Sequence, residues 1–231
     1  MKSAFGPISI LSIPGLPNGF LPLDSKLYHD YEAILGVIME VFPQETPAYF
    51  RAYIWPEEVK HPDYDWTILT LCRAKDKDRA PKFFRVAKYF GAKGMMDDLD
   101  DEGELSIKQT VPIIKKILEK KLAKQKFDFI FTHGSDGEYG HPRHKGAYLA
   151  VKEMVKRDEI KTENLYFFNY EKKSKKEFAP PIAKDKSDFT LKLTKTEYAK
   201  KKGIMSEIYG FDPNGIDANY CTNPEAFKKF K

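Results

Sequence analysis

The sequence predicts an α/β fold, a mainly parallel sheet with helices on both faces, built as one domain by residues 33–231 behind an N-terminal arm of residues 1–32. Three observations lead there. A chain of 231 residues can enclose one substantial core. Apolar runs of strand length alternate with longer stretches of helical spacing. A loop dense in histidine, glycine and carboxylate follows one of those runs, and open α/β sheets bind ligands at the carboxyl ends of their strands.

Residues 1–23 (MKSAFGPISILSIPGLPNGFLPL) are apolar, but prolines at 7, 14, 17 and 22 interrupt them and no small-residue cleavage site follows, so they read as a non-exported arm. Residues 33–41 (AILGVIMEV) form a continuous apolar run expected to be a buried first strand, and residues 66–72 (WTILTLC) a second. Between them, residues 46–60 are expected to hold a short helix ended by Pro56. Residues 80–90 (APKFFRVAKYF) have helical spacing and Gly91 as a stop, and residues 94–99 suit a short strand. In residues 106–124, Ile107, Val111, Ile114, Ile117 and Leu118 share one helical face and lysines occupy the other. The next strand is FDFIF, residues 127–131, followed by the histidine loop and a helix over residues 146–156. A strand at 165–169, a lysine- and proline-rich loop at 171–188, an edge strand at 189–193 and a helix over 195–209 complete the reading. A sheet wound in this way is Rossmann-like, with its site at the strands' carboxyl edge.

Composition narrows the function. No run of 18 apolar residues marks a membrane span, and the net charge of +5 is spread over helix faces and the EKKSKK loop rather than gathered into a basic stripe interleaved with aromatics. No nucleic-acid partner is expected. Two cysteines, Cys72 and Cys221, lack metal-pair spacing and are too few for a disulfide framework, so the expected location is the cytoplasm, with Cys72 inert in its strand. Trp55 and Trp66 read as packing residues and His29 as a surface residue. Residues 97–101 (DDLDD) read as an exposed acidic turn.

Residues 132–147 (THGSDGEYGHPRHKGA) contain three of the five histidines. His141 and His144 stand three apart around Pro142, which favours an extended conformation at the residue before it. Such spacing can bring two imidazoles into one pocket, one to bind metal and one to donate a proton or a hydrogen bond. Asp136, Glu138 and Tyr139 add two carboxylates and a phenol nearby.

This loop, continued as THGSDGEYGHPRHKGAYLAV, resembles the second signature of the LmbE-like or PIG-L superfamily of zinc-dependent N-acetylglucosaminyl deacetylases, a His-Pro-Asp-His element after a central strand. The similarity extends to residues 78–91 (DRAPKFFRVAKYFG) and to WTILTLCRA, and covers about 170 residues, from 33 to 207. The resemblance implies that His144 ligates zinc, that His141 stabilises an oxyanion or acts as an acid, that Tyr139 polarises the scissile amide, and that Arg79 meets substrate. Asp136 joins Arg79 as a candidate substrate-binding residue. Arg143 departs from the motif's aspartate, putting a cation where the family has a carboxylate able to orient a histidine.

The family's first signature, Ala-His-Pro-Asp-Asp-Glu after the first strand, supplies two zinc ligands and the general base. Residues 40–46 here read EVFPQET, and aligning the prolines puts Phe42 at the ligand histidine, Gln44 at the base and Glu45 at the ligand aspartate. Only Glu45 retains a metal donor, and an amide at Gln44 cannot take a proton from water. His61 to Asp65 (HPDYD) superficially resembles the missing signature, but it precedes its strand and reads as a turn. A changed metal site using His133 is an alternative. The resemblance thus implies a metal-dependent deacetylase of an N-acetyl amino sugar or its conjugate, impaired at its first motif, with zinc on His144 and Glu45 and with homo-oligomers known among relatives. The alternative is an inactive member serving as a sugar-binding or scaffold protein.

Overall fold

The computed structural model describes residues 67–230, apart from 90–91, 102–103, 123–124 and 177–178. In chain order these form β1 (Thr67–Cys72), α1 (Arg79–Tyr89), β2 (Lys93–Leu99), α2 (Ile107–Leu122), β3 (Lys126–Thr132), α3 (Gly137–Gly140), α4 (Pro142–Lys156), β4 (Lys161–Phe168), β5 (Tyr170–Lys172), β6 (Pro181–Ala183), β7 (Phe189–Leu191), α5 (Lys195–Glu207), α6 (Ile216–Asn219) and β8 (Glu225–Lys229). The strand expected at residues 33–41, the helix expected within 46–60, EVFPQET, HPDYD, His29 and both tryptophans lie outside the described residues.

Local chemistry explains where the helices begin and end. Asp76 accepts from the backbone N–H groups of Asp78 and Arg79, both at 2.9 Å, satisfying donors at the start of α1. Ser106 and Gln109 reciprocate at the start of α2, Gln109 Oε1 taking the Ser106 N–H at 2.9 Å. Thr194 and Glu197 form the same kind of box at α5, and Gly210, at φ 71°, follows that helix in the left-handed region.

The chain is α/β, but its pairing is mixed. β1 and β2 run parallel, as do β3 and β4; β8 then joins β4 antiparallel and β7 joins β8 antiparallel, giving the order β3-β4-β8-β7. β5 and β6 make a separate antiparallel pair inside the lysine-rich segment expected to be a loop. The parallel expectation therefore holds for the two βαβ connections, and the C-terminal strands return the other way.

Helices cover both faces of the β1–β2 pair. Ile68 on β1 and Met96 on β2 pack with Ala80, Phe83 and Ala87 of α1. Leu69 and Leu71 face the opposite way, into a core shared with Ile114 and Leu118 of α2, Ile130 of β3, Ala150 and Val151 of α4, and Leu165 and Phe167 of β4. That shared core aligns the exits of β1, β2 and β3 at one edge, where Arg73, Asp101 and His141 come together. Among the described residues, no helix is long and apolar enough to cross a membrane.

Candidate metal centre

The turn after β3 is built from unusual backbone. Gly137 (φ 61°), Glu138 (φ 55°) and Gly140 (φ 98°) all occupy positive φ, a region natural for glycine and costly for glutamate. Gly134 leaves no room for a side chain, since a Cβ there would stand 2.0 Å from the Phe168 carbonyl oxygen. The loop therefore hugs the end of β4 and then folds Glu138 inward. His141 is extended, with φ −63° and ψ 127°, and Pro142 opens α4 behind it. His144 thus lies in the first turn of α4, where the sequence placed a loop; proline at the first helical position starts the helix four residues before the expected 146.

Three side chains meet as a result. His133, Glu138 and His144 are all buried, and their donor atoms lie within 4.8 Å of one another. Glu138 Oε2 faces Nδ1 of His133 at 2.8 Å and Nδ1 of His144 at 2.5 Å, while Oε1 accepts the Gly134 N–H at 2.8 Å. The two imidazoles stack, with centroids 3.8 Å apart and planes 16° from parallel. Burial alone would raise the Glu138 pKa, but the two imidazoles outweigh it and hold the carboxyl well below its usual range.

His141 and Tyr139 stand beside this group. The His141 ring is 4.6 Å from that of His144, and the Tyr139 ring is 5.4 Å from His144 and 5.9 Å from His141. Burial, then the neighbouring imidazoles of His144 and His133, push the His141 pKa far down, so the ring is neutral at pH 7. Burial and the Glu138 charge raise the Tyr139 phenol well above its usual value, so it keeps its proton. Tyr220 packs against Tyr139 at 4.8 Å, bringing the C-terminal tail to the site.

The acidic run departs from expectation. Asp97 and Asp98 do pair with Lys121 and Lys75, but Asp100 and Asp101 turn inward, with side chains 16% and 4% exposed. The Arg143 guanidinium, fully buried, places Nη2 2.6 Å from both Asp100 Oδ2 and the Leu105 carbonyl. Asp101 receives Arg73 Nε at 3.0 Å and lies 4.0 Å from His141 Nε2. The Arg143 cation in the first turn of α4 is thus matched by Asp100 at the exit of β2.

Of the residues singled out by sequence, His144 belongs to the metal-capable group and His141 and Tyr139 adjoin it. Gln44 and Glu45 lie outside the described residues. Asp136 is exposed and ion-paired with Lys184 at the foot of the turn, outside the group of three. Arg79, the first residue of α1, holds its guanidinium 4.3 Å above the Phe211 ring in the tail. Glu138, read only as a nearby carboxylate, links both histidines; the glycines at 137 and 140 were the signal for the tight turn that delivers it. Comparison with family models, with curated proteins and with solved structures found no match to this chain.

Proposed function

We propose that this chain is a metal-dependent amide hydrolase of the PIG-L/LmbE type, releasing acetate from an N-acetyl amino sugar or its conjugate. The observation that supports it is the buried His133–Glu138–His144 group, with donor atoms within 4.8 Å and with His141 and Tyr139 alongside. Two imidazoles and a carboxylate form a donor set that suits zinc, and the proposal moves the metal from the pair His144 and Glu45 to this trio. When bound there, a divalent cation supplies Lewis-acid polarisation of the amide carbonyl and acidification of water.

The side chains divide the remaining work. Tyr139, held protonated, donates a hydrogen bond to the oxyanion that develops on the carbonyl oxygen. His141, neutral at rest, holds the proton passing from attacking water to the departing amine. The choice of an N-acetyl amino sugar rests on the resemblance of the histidine loop, not on the geometry of the site.

A second reading, a non-catalytic sugar-binding protein, is favoured by one feature: Glu138 Oε2 lies within hydrogen-bond distance of Nδ1 of both imidazoles and can hold those two nitrogens without any metal. Elemental analysis of protein purified without chelator, combined with an acetate-release assay on N-acetylglucosamine conjugates, separates the two. The hydrolase reading expects one zinc per chain, lost in His144→Ala, and acetate release that depends on it. Failure to bind zinc when zinc is supplied removes the metal centre, and zinc without acetate release removes the deacetylase.

A further inference from the structure

The C-terminal tail brings to the site polar groups that the metal centre does not use. At the end of α6 the Tyr220 N–H donates to the Asp217 carbonyl at 3.2 Å, and side chains three apart on such a turn are neighbours. Helix α5 braces the residues that follow: the Tyr198 hydroxyl donates to the Cys221 carbonyl at 2.8 Å, and Lys201 Nζ to the Thr222 carbonyl at 2.9 Å. On the other side of α6, Phe211 is held beneath the Arg79 guanidinium of α1.

Tyr220 lies against Tyr139, with ring centroids 4.8 Å apart, and Tyr139 adjoins His144 and His141. The Tyr139 phenol is raised by burial first, then by Glu138, Tyr220, Asp101 and Asp217, which puts Asp217 within electrostatic reach of the site. Asp217, half-buried, has its own carboxyl raised by burial and drawn back by the Arg79 guanidinium. Tyr139, Tyr220, Asp217 and Arg79 thus form a row from the edge of the metal-capable group to α1.

One member of the row lacks a partner. Tyr220 is 5% exposed, yet its hydroxyl has no hydrogen-bond partner among the described residues. A buried hydroxyl left in that state is costly, and native proteins keep few of them. Burial and the Asp217 charge push this phenol up to about 12, so it stays protonated and able to donate. A tyrosine hydroxyl donates and accepts, a carboxylate accepts and a guanidinium donates. Neighbouring hydroxyl groups on a sugar ring, each a donor and an acceptor at once, match that set, whereas Asp217 would repel a bare phosphate or carboxylate.

We propose that Tyr220 and Asp217 form a subsite for the hydroxyl groups of a sugar bound beside the metal centre, with Arg79 at its far end. That the sugar is an N-acetylated one rests on the hydrolase reading; the hydroxyl chemistry of the subsite does not.

Calorimetric titration of the full chain, supplied with zinc, with glucosamine tests it, because this probe carries the hydroxyl groups and has no acetyl group to lose. Wild type is expected to bind glucosamine, Tyr220→Phe to bind it about tenfold more weakly, and Asp217→Asn more weakly by about tenfold or more. Both variants are expected to take up zinc as wild type does. Ligand-free Tyr220→Phe should melt at or above the wild-type temperature, since the substitution removes an unpartnered hydroxyl and keeps the ring. Weaker sugar binding with undiminished stability separates recognition from a structural role. A lower melting temperature for Tyr220→Phe would show its hydroxyl to be partnered within the protein and overturns the proposal. Glucosamine affinity unchanged in either variant, or wild type that does not bind glucosamine, overturns it as well. Acetate release from N-acetylglucosamine is measured apart: a wild type that releases none discards the hydrolase reading, while the expected losses in glucosamine affinity still support the subsite. Acetate release by wild type with unchanged glucosamine affinity in the variants keeps the hydrolase and discards the subsite.

Discussion

At the scale of single residues, His141 gives the site a measurable pH dependence. Unfolded, its imidazole takes up a proton as pH falls through about 6.5. Folded, it is held neutral by burial and by His144 and His133, so its pKa is lowered. The unfolded state therefore binds more protons below that pH: stability is complete above about pH 6.5 and falls by about 1.4 kcal/mol per pH unit below it. Glu138 acts in the same direction but in a lower window, since its depressed pKa stabilises the fold above about pH 4.3 and that contribution is lost as pH falls toward the folded value. Urea unfolding of metal-free protein at pH 7, 6 and 5 should show the wild-type decline, and His141→Gln should flatten it. Equal slopes would mean that the ring is not held neutral. Residue types and spacing made His141, His144 and Tyr139 legible in the sequence. Glu138 was legible only as a carboxylate close by, because its pairing depends on a backbone conformation that glutamate rarely adopts.

At the scale of elements, the long periodic helices were readable, because an apolar stripe and a capping residue are local properties. The expected helix over 106–124 is α2, Ile107–Leu122, and the expected one over 195–209 is α5, Lys195–Glu207. β8 was not readable, since EAFKK carries no alternation and its partners β4 and β7 lie far away along the chain. What anchors β8 is a buried cluster: Lys201 of α5 places Nζ 2.6 Å from Glu225 Oε1, and Tyr170 of β5 donates to Glu225 Oε2 at 2.6 Å. Burial raises the Glu225 carboxyl and lowers the Lys201 ammonium, so each charge depends on the other. Lys201→Met, which strands the carboxylate, should cost about 3–5 kcal/mol in chemical denaturation, and adding Glu225→Gln should recover much of it. A cost under 1 kcal/mol would show the pair to be dispensable. The loop after β3 makes a parallel prediction: Gly134→Ala forces a methyl against the Phe168 carbonyl and should destabilise by about 1–3 kcal/mol in thermal unfolding, and should weaken zinc at the proposed metal centre. Unchanged stability would mean that the loop can step away from β4.

At the scale of the whole molecule, the shared core controls which groups can react. Cys72 ends β1 fully buried, with its thiol pushed well above the usual value by burial and by Asp101, and Cys221 is pushed up to about 11, chiefly by burial. Neither thiol should react with a disulfide reagent at pH 8 in the native protein, and both should react once urea unfolds it; a thiol that reacts in the native state would show that its part of the core opens readily. The sequence by itself determined the α/β alternation, the strand that ends at the histidine loop, and the identities of His141, His144 and Tyr139, because periodicity, turn formers and motif spacing are written over a few consecutive residues. Only the tertiary structure decided that His133 and Glu138 complete a group with His144, that β8 and β7 run antiparallel beside β4, and that Asp101 stands opposite His141 while Arg143 turns to Asp100. Those arrangements come from strand exits aligned by a common core and from one turn at positive φ. Neither leaves a local pattern, because each depends on contacts between residues that the chain places far apart or folds back sharply.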